Sequence, residues 1–409
     1  MRVGTASDPS CLSDCIWHCK PCVCYTELEI SADKETISWR ADNNLSLCLF
    51  PPLSLMGVKA THSFLKKKGL SFTPTDYPTI QSYHTLHVDL LGSFYPLFID
   101  SFFKHEPKVA AKFVLDRLQT LLPIQKTILY MDGNRTVEKN ATAQRRLNVQ
   151  VRDSKKLESL LFAAKTKASK GQRVSVSQID AITRLSRRTF RFINDMKQTF
   201  IDTASALGWN IVTCRGEADV HIGSIGMTDE DAVVSGDSDL LFYQNIPNVI
   251  RPLAGNQMML YKKSAILQAL NLSAVQWTSI GIVSGNDYDS NIKGFGIATN
   301  YGVIRKLDGE TIAEIVKQYL CSEGVSKVRD DDDVDFGKSI KIFVFQKENI
   351  LHQDGEKAGK GIEAIGYRKL RQDIHDIKKK SRERRKEIRG KNRYTRIHCI
   401  NYGHNITNV

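Results

Sequence analysis

DAVVSGDSDLLFY, residues Asp231–Tyr243, decides the fold. Ala232, Val233 and Val234 form a short apolar run of the kind that makes a buried strand, and the Ser-Gly pair behind them ends it. Asp237 and Asp239 stand just past the strand end. The same order recurs upstream. HVDLLGSFYPLF (His87–Phe98) starts as a strand, reaches Asp89 and passes into a helix; TILYMDG (Thr127–Gly133) is a strand closed by Asp132 and Gly133. WNIVTC (209–214) reads as a strand, followed by a helix opening at GEADVHIGSIG, which holds Glu217 and Asp219. VIRPL and MMLYKK read as a β-hairpin, and MGVKATHSFLKKKGL (56–70) as a short amphipathic helix. Later helices are predicted over 262–271, 275–284, 297–307, 310–320 and 337–350. Strands alternating with helices predict an α/β domain with a mainly parallel sheet. In such sheets ligands sit beyond the carboxyl ends of the strands, where these aspartates fall.

Composition narrows the partner. The chain has 409 residues, 41% of them hydrophobic, and Lys plus Arg exceed Asp plus Glu by 13. A core can be buried, and the basic excess points to a polyanion such as nucleic acid or to an anionic membrane face. No apolar run is long enough to span a membrane, the N-terminus lacks the order of a secretory signal, and no membrane partner is expected. Residues 1–55 are Cys-rich, end in Pro51-Pro52 and read as a poorly ordered extension, with Met56 the expected native start. Their cysteines, from Cys11 to Cys48, are too irregularly spaced for a zinc knuckle. DDDDVD (Asp330–Asp335) reads as a solvated loop, and 352–409 as a basic tail suited to nuclear import or non-specific DNA binding.

The acidic residues suggest a chemistry. Phosphodiester hydrolysis is served by two divalent ions about 4 Å apart, and hard Mg²⁺ favours oxygen ligands. Seven carboxylates in five clusters could supply them: Asp89, Asp132, Glu217 with Asp219, Asp237 with Asp239, and Asp287.

In these residues the chain resembles the flap endonuclease and XPG-like family of structure-specific nucleases, from Met56 to about Leu351. MGVKATHSFL is similar to the family's start, whose glycine, here Gly57, lies near the active site. HVDLLGSFY, LYMDGNRTVEKNATAQRR, GEADV, GDSDLLFY and GIVSGNDYDSNIKGFG are similar to its acidic motifs, in order. The resemblance implies a PIN-like 5′ nuclease domain with a mainly parallel sheet, a helical arch at about 134–200 and a helix–two-turn–helix at about 281–320. Its regions divide at 56–200 and 201–351. It implies that Asp89, Asp132, Glu217, Asp219, Asp237, Asp239 and Asp287 bind two Mg²⁺ or Mn²⁺ ions. It implies catalytic roles for Lys139 and Arg146, seven and fourteen residues after Asp132. Two helical turns separate them, so both should point one way. Tyr95 would stack on an unpaired base, with Arg145 and Gly57 also against nucleic acid. Gly294 and Gly296 would let backbone N–H groups approach duplex phosphates around a K⁺ ion. Ile297 and Ala298 depart from the family, which often has Pro and a basic residue there.

The implied activity is structure-specific endo- or exonucleolytic cleavage at 5′ flaps or 5′ ends of DNA, in repair or replication, by a nuclear monomer. RNA is a further candidate substrate, and no sliding-clamp motif stands near the C-terminus. The competing reading is a non-catalytic nuclease-fold protein that binds RNA or protein as a regulator, although such relatives usually lose ligands. A phosphatase using a lone Asp-x-Asp fits less well, because neither Asp89 nor Asp132 has a partner two residues on.

Overall fold

The structure is a computed structural model. It describes residues 57–70, 72, 74–133, 137–253, 257–328 and 334–344, and in the tail 369–370, 372–380, 382–383 and 386–387. The Cys-rich extension, most of the acidic run and the end of the tail lie outside the described residues, as does the predicted helix beyond 344.

The sheet has seven strands: β1 (Pro74–Thr75), β2 (Thr85–Asp89), β3 (Thr127–Met131), β4 (Asn210–Thr213), β5 (Asp231–Val234), β6 (Asn248–Pro252) and β7 (Met258–Lys262). Their order is β1-β7-β6-β5-β2-β3-β4. β6, β5, β2, β3 and β4 run parallel, while β7 pairs antiparallel with β6 and with β1. This is the expected α/β architecture with a mainly parallel sheet, and the predicted hairpin is β6–β7. The two-residue β1 and the helices Tyr77–Ser82 and Pro107–Gln119 were not legible in the sequence pattern.

Alternation along the central strands assigns the two faces. Leu86, Val88, Leu129, Met131, Ala232 and Val234 enter one core with the helices Leu90–Lys104, Pro107–Gln119 and Asn194–Ala206. Tyr130, Val233 and Val249 enter the other, with Phe242, Trp277 and Ile280. Both faces are covered, which explains strands that read as continuous apolar runs.

The order also locates a crevice. From β2 the chain moves outward through β3 to β4, then returns to place β5 on the other side of β2. Connections after β2 and β5 therefore leave in opposite directions, the arrangement that opens a cleft beyond the strands' carboxyl ends. The regions 56–200 and 201–351 share this one sheet, since β2 pairs β5 and β3 pairs β4.

The region expected as an arch is a hairpin of helices, Asn140–Ser169 and Val176–Arg188. Thirty residues make the first about 45 Å long. The second opens with a capping box in which Ser175 and Gln178 satisfy each other's backbone N–H. Leu157, Leu161, Ala164, Val174, Ile182 and Leu185 form a third apolar cluster, joined by Leu370, Ile374 and Ile377 of the tail. Beside nuclear import or DNA binding, the plain expectation was an exposed, mostly helical tail, and the difference lies in its burial. Its described residues are helical and its apolar side chains are buried on the hairpin, each burial contributing on the order of 1.5–3 kcal/mol.

Candidate active site

Asp89 ends β2 and caps the helix Leu90–Lys104, its Oδ1 accepting from Gly92 N at 2.9 Å. A Cβ on Gly92 would stand 1.9 Å from Asp89 Oδ2, so a glycine is needed for this cap. Ser235 Oγ, just after β5, donates to that same oxygen at 2.9 Å. Asp132 follows β3 and accepts from Ala218 N at 2.8 Å. Glu217 precedes the helix Ala218–Gly223, and Asp219 lies in its first turn. Asp237 Oδ1 accepts from Asp239 N at 2.9 Å, and Asp239 Oδ1 from Val58 N at 2.8 Å. Thus the N-terminal segment closes onto the Asp-x-Asp pair. Gly57 has φ +79, and a Cβ there would meet Asp237 Oδ1 at 2.2 Å. Only glycine fits that position without displacing a neighbour.

Two cations reach in from the hairpin. Lys139 Nζ pairs with Glu217 and lies 3.1 Å from Asp219 Oδ2. It also stands over the Tyr288 ring, 5.0 Å from its centre. Arg146 Nη2 holds both oxygens of Asp287, at 2.8 and 2.9 Å. Lys139 differs from the expectation in one respect. It ends a 3₁₀ turn, Val137–Lys139, and the regular helix begins only at Asn140. The attraction of Glu217 and Asp219 draws its side chain inward.

The pocket is strongly negative. Asp89, Asp219, Asp237, Asp239 and Asp287 are buried, while Asp132 and Glu217 are partly buried. Burial, then the charges of Asp132 and Asp219, holds the Asp89 carboxyl well above its usual range. Burial and the charge of Asp237 do the same to Asp239. Asp132 is raised mainly by burial. Burial and Asp219 push Asp237 up to about 6. Glu217 rises to about 7 through burial, with Lys139 opposing. For Lys139 itself, burial disfavours the ammonium, but the charges of Asp219 and Glu217 outweigh it and hold its pKa well above normal. Each of the seven carboxylates acts electrostatically on, or is bound to, another member of this group.

The remaining predicted residues lie elsewhere. Arg145 is exposed and donates to Thr142 Oγ1 at 3.2 Å, so the neighbouring Arg146, not Arg145, faces the carboxylates. Tyr95 is half-buried, its hydroxyl donating to Phe190 O at 3.2 Å. Gly294 and Gly296 sit in the loop between the helices Ala274–Val283 and Ile297–Ile304, and a Cβ on either would meet nothing within 4 Å. Ile297, a departure from the family pattern, is buried in the core.

Sequence reasoning passed over several supporting groups. Tyr288 hydroxyl donates to Asp219 Oδ2 at 3.5 Å. Lys197 Nζ donates to the Asp132 carbonyl, tying the helix Asn194–Ala206 to the end of β3. The short helix Gly337–Phe343 braces the Asp287 loop: Ser339 N and Oγ both donate to Asp289 at 2.8 Å. Lys341 pairs with Glu138 at 2.7 Å. Tyr288 was legible as part of NDYDS; the lysines carry no local signal.

The donor set suits a hard divalent cation. All seven candidate ligands offer oxygen, and Asp239 Oδ2 is buried with no hydrogen-bond donor among the described residues. In this conformation no group of three or more carboxylate, histidine or cysteine side chains among the described residues is placed to hold a metal ion. The ammonium of Lys139 and the guanidinium of Arg146 balance part of the charge instead.

No family model matches the chain. Over 195 residues it is 28% identical to flap endonuclease 1 of Sulfurisphaera tokodaii, covering 44% of this chain and 52% of that protein. Over 139 residues it is 28% identical to flap endonuclease 1 of Zea mays, covering 32% and 36%. The chain thus spans about half or less of the length of these curated relatives. Among solved structures, the catalytic core of Rad2 in complex with DNA substrate aligns at TM-score 0.43 and 16% identity, over 74% of this chain and 84% of that one. Flap endonuclease-1 from Methanococcus jannaschii aligns at 0.42 and 15%, over 80% and 99%. In sequence, this chain is distantly similar to flap endonucleases over part of their length.

Proposed function

We propose that this protein is a metal-dependent nuclease that hydrolyses phosphodiester bonds at 5′ flaps or 5′ ends of DNA. One observation carries the reading: carboxylates from five separate segments form one electrostatically linked cluster, with Lys139 and Arg146 paired to its members from the base of one helix.

Asp89, Asp132, Glu217, Asp219, Asp237, Asp239 and Asp287 would hold two Mg²⁺ or Mn²⁺ ions. Such ions, when bound, supply Lewis acidity at the phosphate and an activated water. The chain's own residues do the rest. Backbone N–H groups of Gly92, Ala218, Asp239 and Val58 fix the carboxylates, so little reorganisation is needed. Lys139 and Arg146 supply positive charge to a scissile phosphate once they exchange carboxylate partners for it. The basic hairpin above would favour a single-stranded end, and Tyr95 would offer a ring to an unpaired base. A K⁺ ion at the loop of Gly294 and Gly296 and a nuclear location belong to the same reading.

Labelled 5′-flap, nicked duplex, bubble and four-way junction DNA, with an RNA flap alongside, incubated with the protein and Mg²⁺ test it. Cleavage of at least the flap or the free 5′ end is expected, and Asp237→Ala should abolish it while binding persists. Absence of product on every substrate with folded protein would sink the enzyme reading; tight binding without cleavage would favour the regulator.

A further inference from the structure

We propose that the C-terminal helix (within residues 369–387) is a third member of the helical hairpin and positions the helix Asn140–Ser169, so that Arg146 and Lys139 are presented to the carboxylates. The basic tail is then a built part of the site's scaffold.

Among the described residues, the long helix is bonded to the carboxylate cluster at its first two turns. Arg146 holds Asp287, and Thr142 Oγ1 donates to Asp287 O at 2.9 Å. Its middle belongs to neither core of the sheet: Leu157, Leu161 and Ala164 lie in the separate third cluster. Phe103 of the helix Leu90–Lys104 packs on this cluster and Arg187 pairs with Asp100 at 3.0 Å. The rest of the seam still needs cover, because helices without tertiary packing are marginal in water. The tail closes this seam. Leu370, Ile374 and Ile377 follow one helix face, at offsets of four and seven residues, and are at most 6% exposed. On their other side lie Leu157 and Leu161 of the first hairpin helix and Ile182 and Leu185 of the second. Lys165 and Asp373, 2.6 Å apart, set the register between tail and hairpin. Lys378, Lys379, Lys380, Arg382 and Lys386 remain exposed on the same helix. Their charge is displayed near the hairpin turn, where Lys380 lines one cavity with Ala168, Gly171 and Gln172, next to exposed Lys170.

Two sets of variants in the full chain separate bracing from charge. Leu370→Asp/Ile374→Asp breaks the apolar contact and keeps the basic face; Lys378→Glu/Lys379→Glu/Lys380→Glu does the reverse. Hydrogen exchange is read on amides of 150–185, with β3 and β5 as internal reference. The first variant should speed exchange across 150–185 on the order of tenfold or more and leave β3 and β5 unchanged, while the second should leave both unchanged. Should the first variant unfold the whole chain, Leu370→Ala/Ile377→Ala, which only opens cavities, is read the same way. Equal protection of 150–185 with and without the tail contact, or loss of protection from charge reversal alone, would overturn the proposal. This arm needs no nuclease activity. A second arm rests on the nuclease reading: loosening the brace should lower kcat with little change in KM, and Leu370→Ile/Ile374→Leu should restore it. Altered exchange without any cleavage by the unmodified protein would reject the nuclease reading and leave the brace standing; altered exchange with kcat unchanged would reject the positioning role.

Discussion

A Cβ on Gly57 would stand 2.2 Å from Asp237 Oδ1 and 2.7 Å from Asp239 N. The first described residue of the fold and the Asp-x-Asp pair thus share one volume, although 180 positions separate Gly57 from Asp237 in the sequence. Gly57→Ala meets two penalties: a positive φ, at about 1–2 kcal/mol for an L-residue, and a clash with backbone. Gly294 has φ +85 with open space around it. Gly294→Ala should therefore lose only the first amount, and Gly57→Ala clearly more. Urea midpoints of the two variants decide it; equal losses would mean that Asp237 does not crowd Gly57.

Asp239 is fully buried, and its Oδ2 has no donor among the described residues. Asp239→Asn keeps the acceptor for Val58 N and removes a charge that burial and Asp237 disfavour. Without divalent ions, the variant should be more stable than the parent, by on the order of 1 kcal/mol, and should have lost cleavage. Thermal unfolding in EDTA, paired with the flap assay, checks both halves. A variant less stable than the parent would show that the buried carboxylate is already well compensated.

Burial raises Glu217 from 4.5 to about 7 and Asp237 from 3.8 to about 6. Between those limits the folded chain binds more protons than the unfolded one, so stability falls as pH climbs through the window. In EDTA, the protein should be less stable at pH 7 than at pH 5, and Mg²⁺ should restore more at pH 7. Lys263 has the opposite sign in another window. Burial lowers it from 10.5 to about 7, while its Nζ donates to the carbonyls of Tyr243 and Gln244. There the unfolded chain binds more protons, so stability should gain from pH 7 towards 10.5. Lys263→Met should flatten that gain, and urea midpoints across pH would show it.

Lys139 and Arg146 should separate in their effects. Arg146 is 52% exposed, so Arg146→Ala should lower turnover on the order of 10²–10³-fold with little change in stability. Lys139 is 12% exposed between two carboxylates. Lys139→Met should lower turnover as well, and destabilise the metal-free protein by about 3–5 kcal/mol by leaving those charges uncompensated. Single-turnover rates beside melting curves separate the cases. An Arg146→Ala variant that melts like Lys139→Met would contradict the exposure argument.

The parallel strands were legible because β2, β3 and β5 each end at an acidic residue or at a turn leading to one. Asp89, Asp132 and Asp237 followed from local pattern, and each is buried or partly buried and feels the charge of Asp219. What stayed hidden depends on long-range contact. Nothing near Lys197 in sequence says that its ammonium will cap the Asp132 carbonyl, and nothing near Tyr288 says that its hydroxyl will reach Asp219. The docking face of the tail was present as Leu370, Ile374 and Ile377, but it lies among so many lysines and arginines that its periodicity reads as solvated.

The strand order has a consequence for taking the molecule apart. Cutting the turn around Gly171 would yield one fragment holding β1, β2 and β3 and another holding β4 to β7. Within the sheet, the boundaries between them are three seams, β1 with β7, β2 with β5 and β3 with β4, and helices pack across as well, Asn140–Ser169 on Val176–Arg188 among them. Neither fragment could complete a sheet alone, yet the nick itself would sever no strand pairing. The two pieces should behave as a complementation pair, one bringing Asp89 and Asp132, the other Asp237, Asp239 and Asp287. Reassembly could then be followed by the return of the acidic pocket, and the five motifs would be inherited together or not at all.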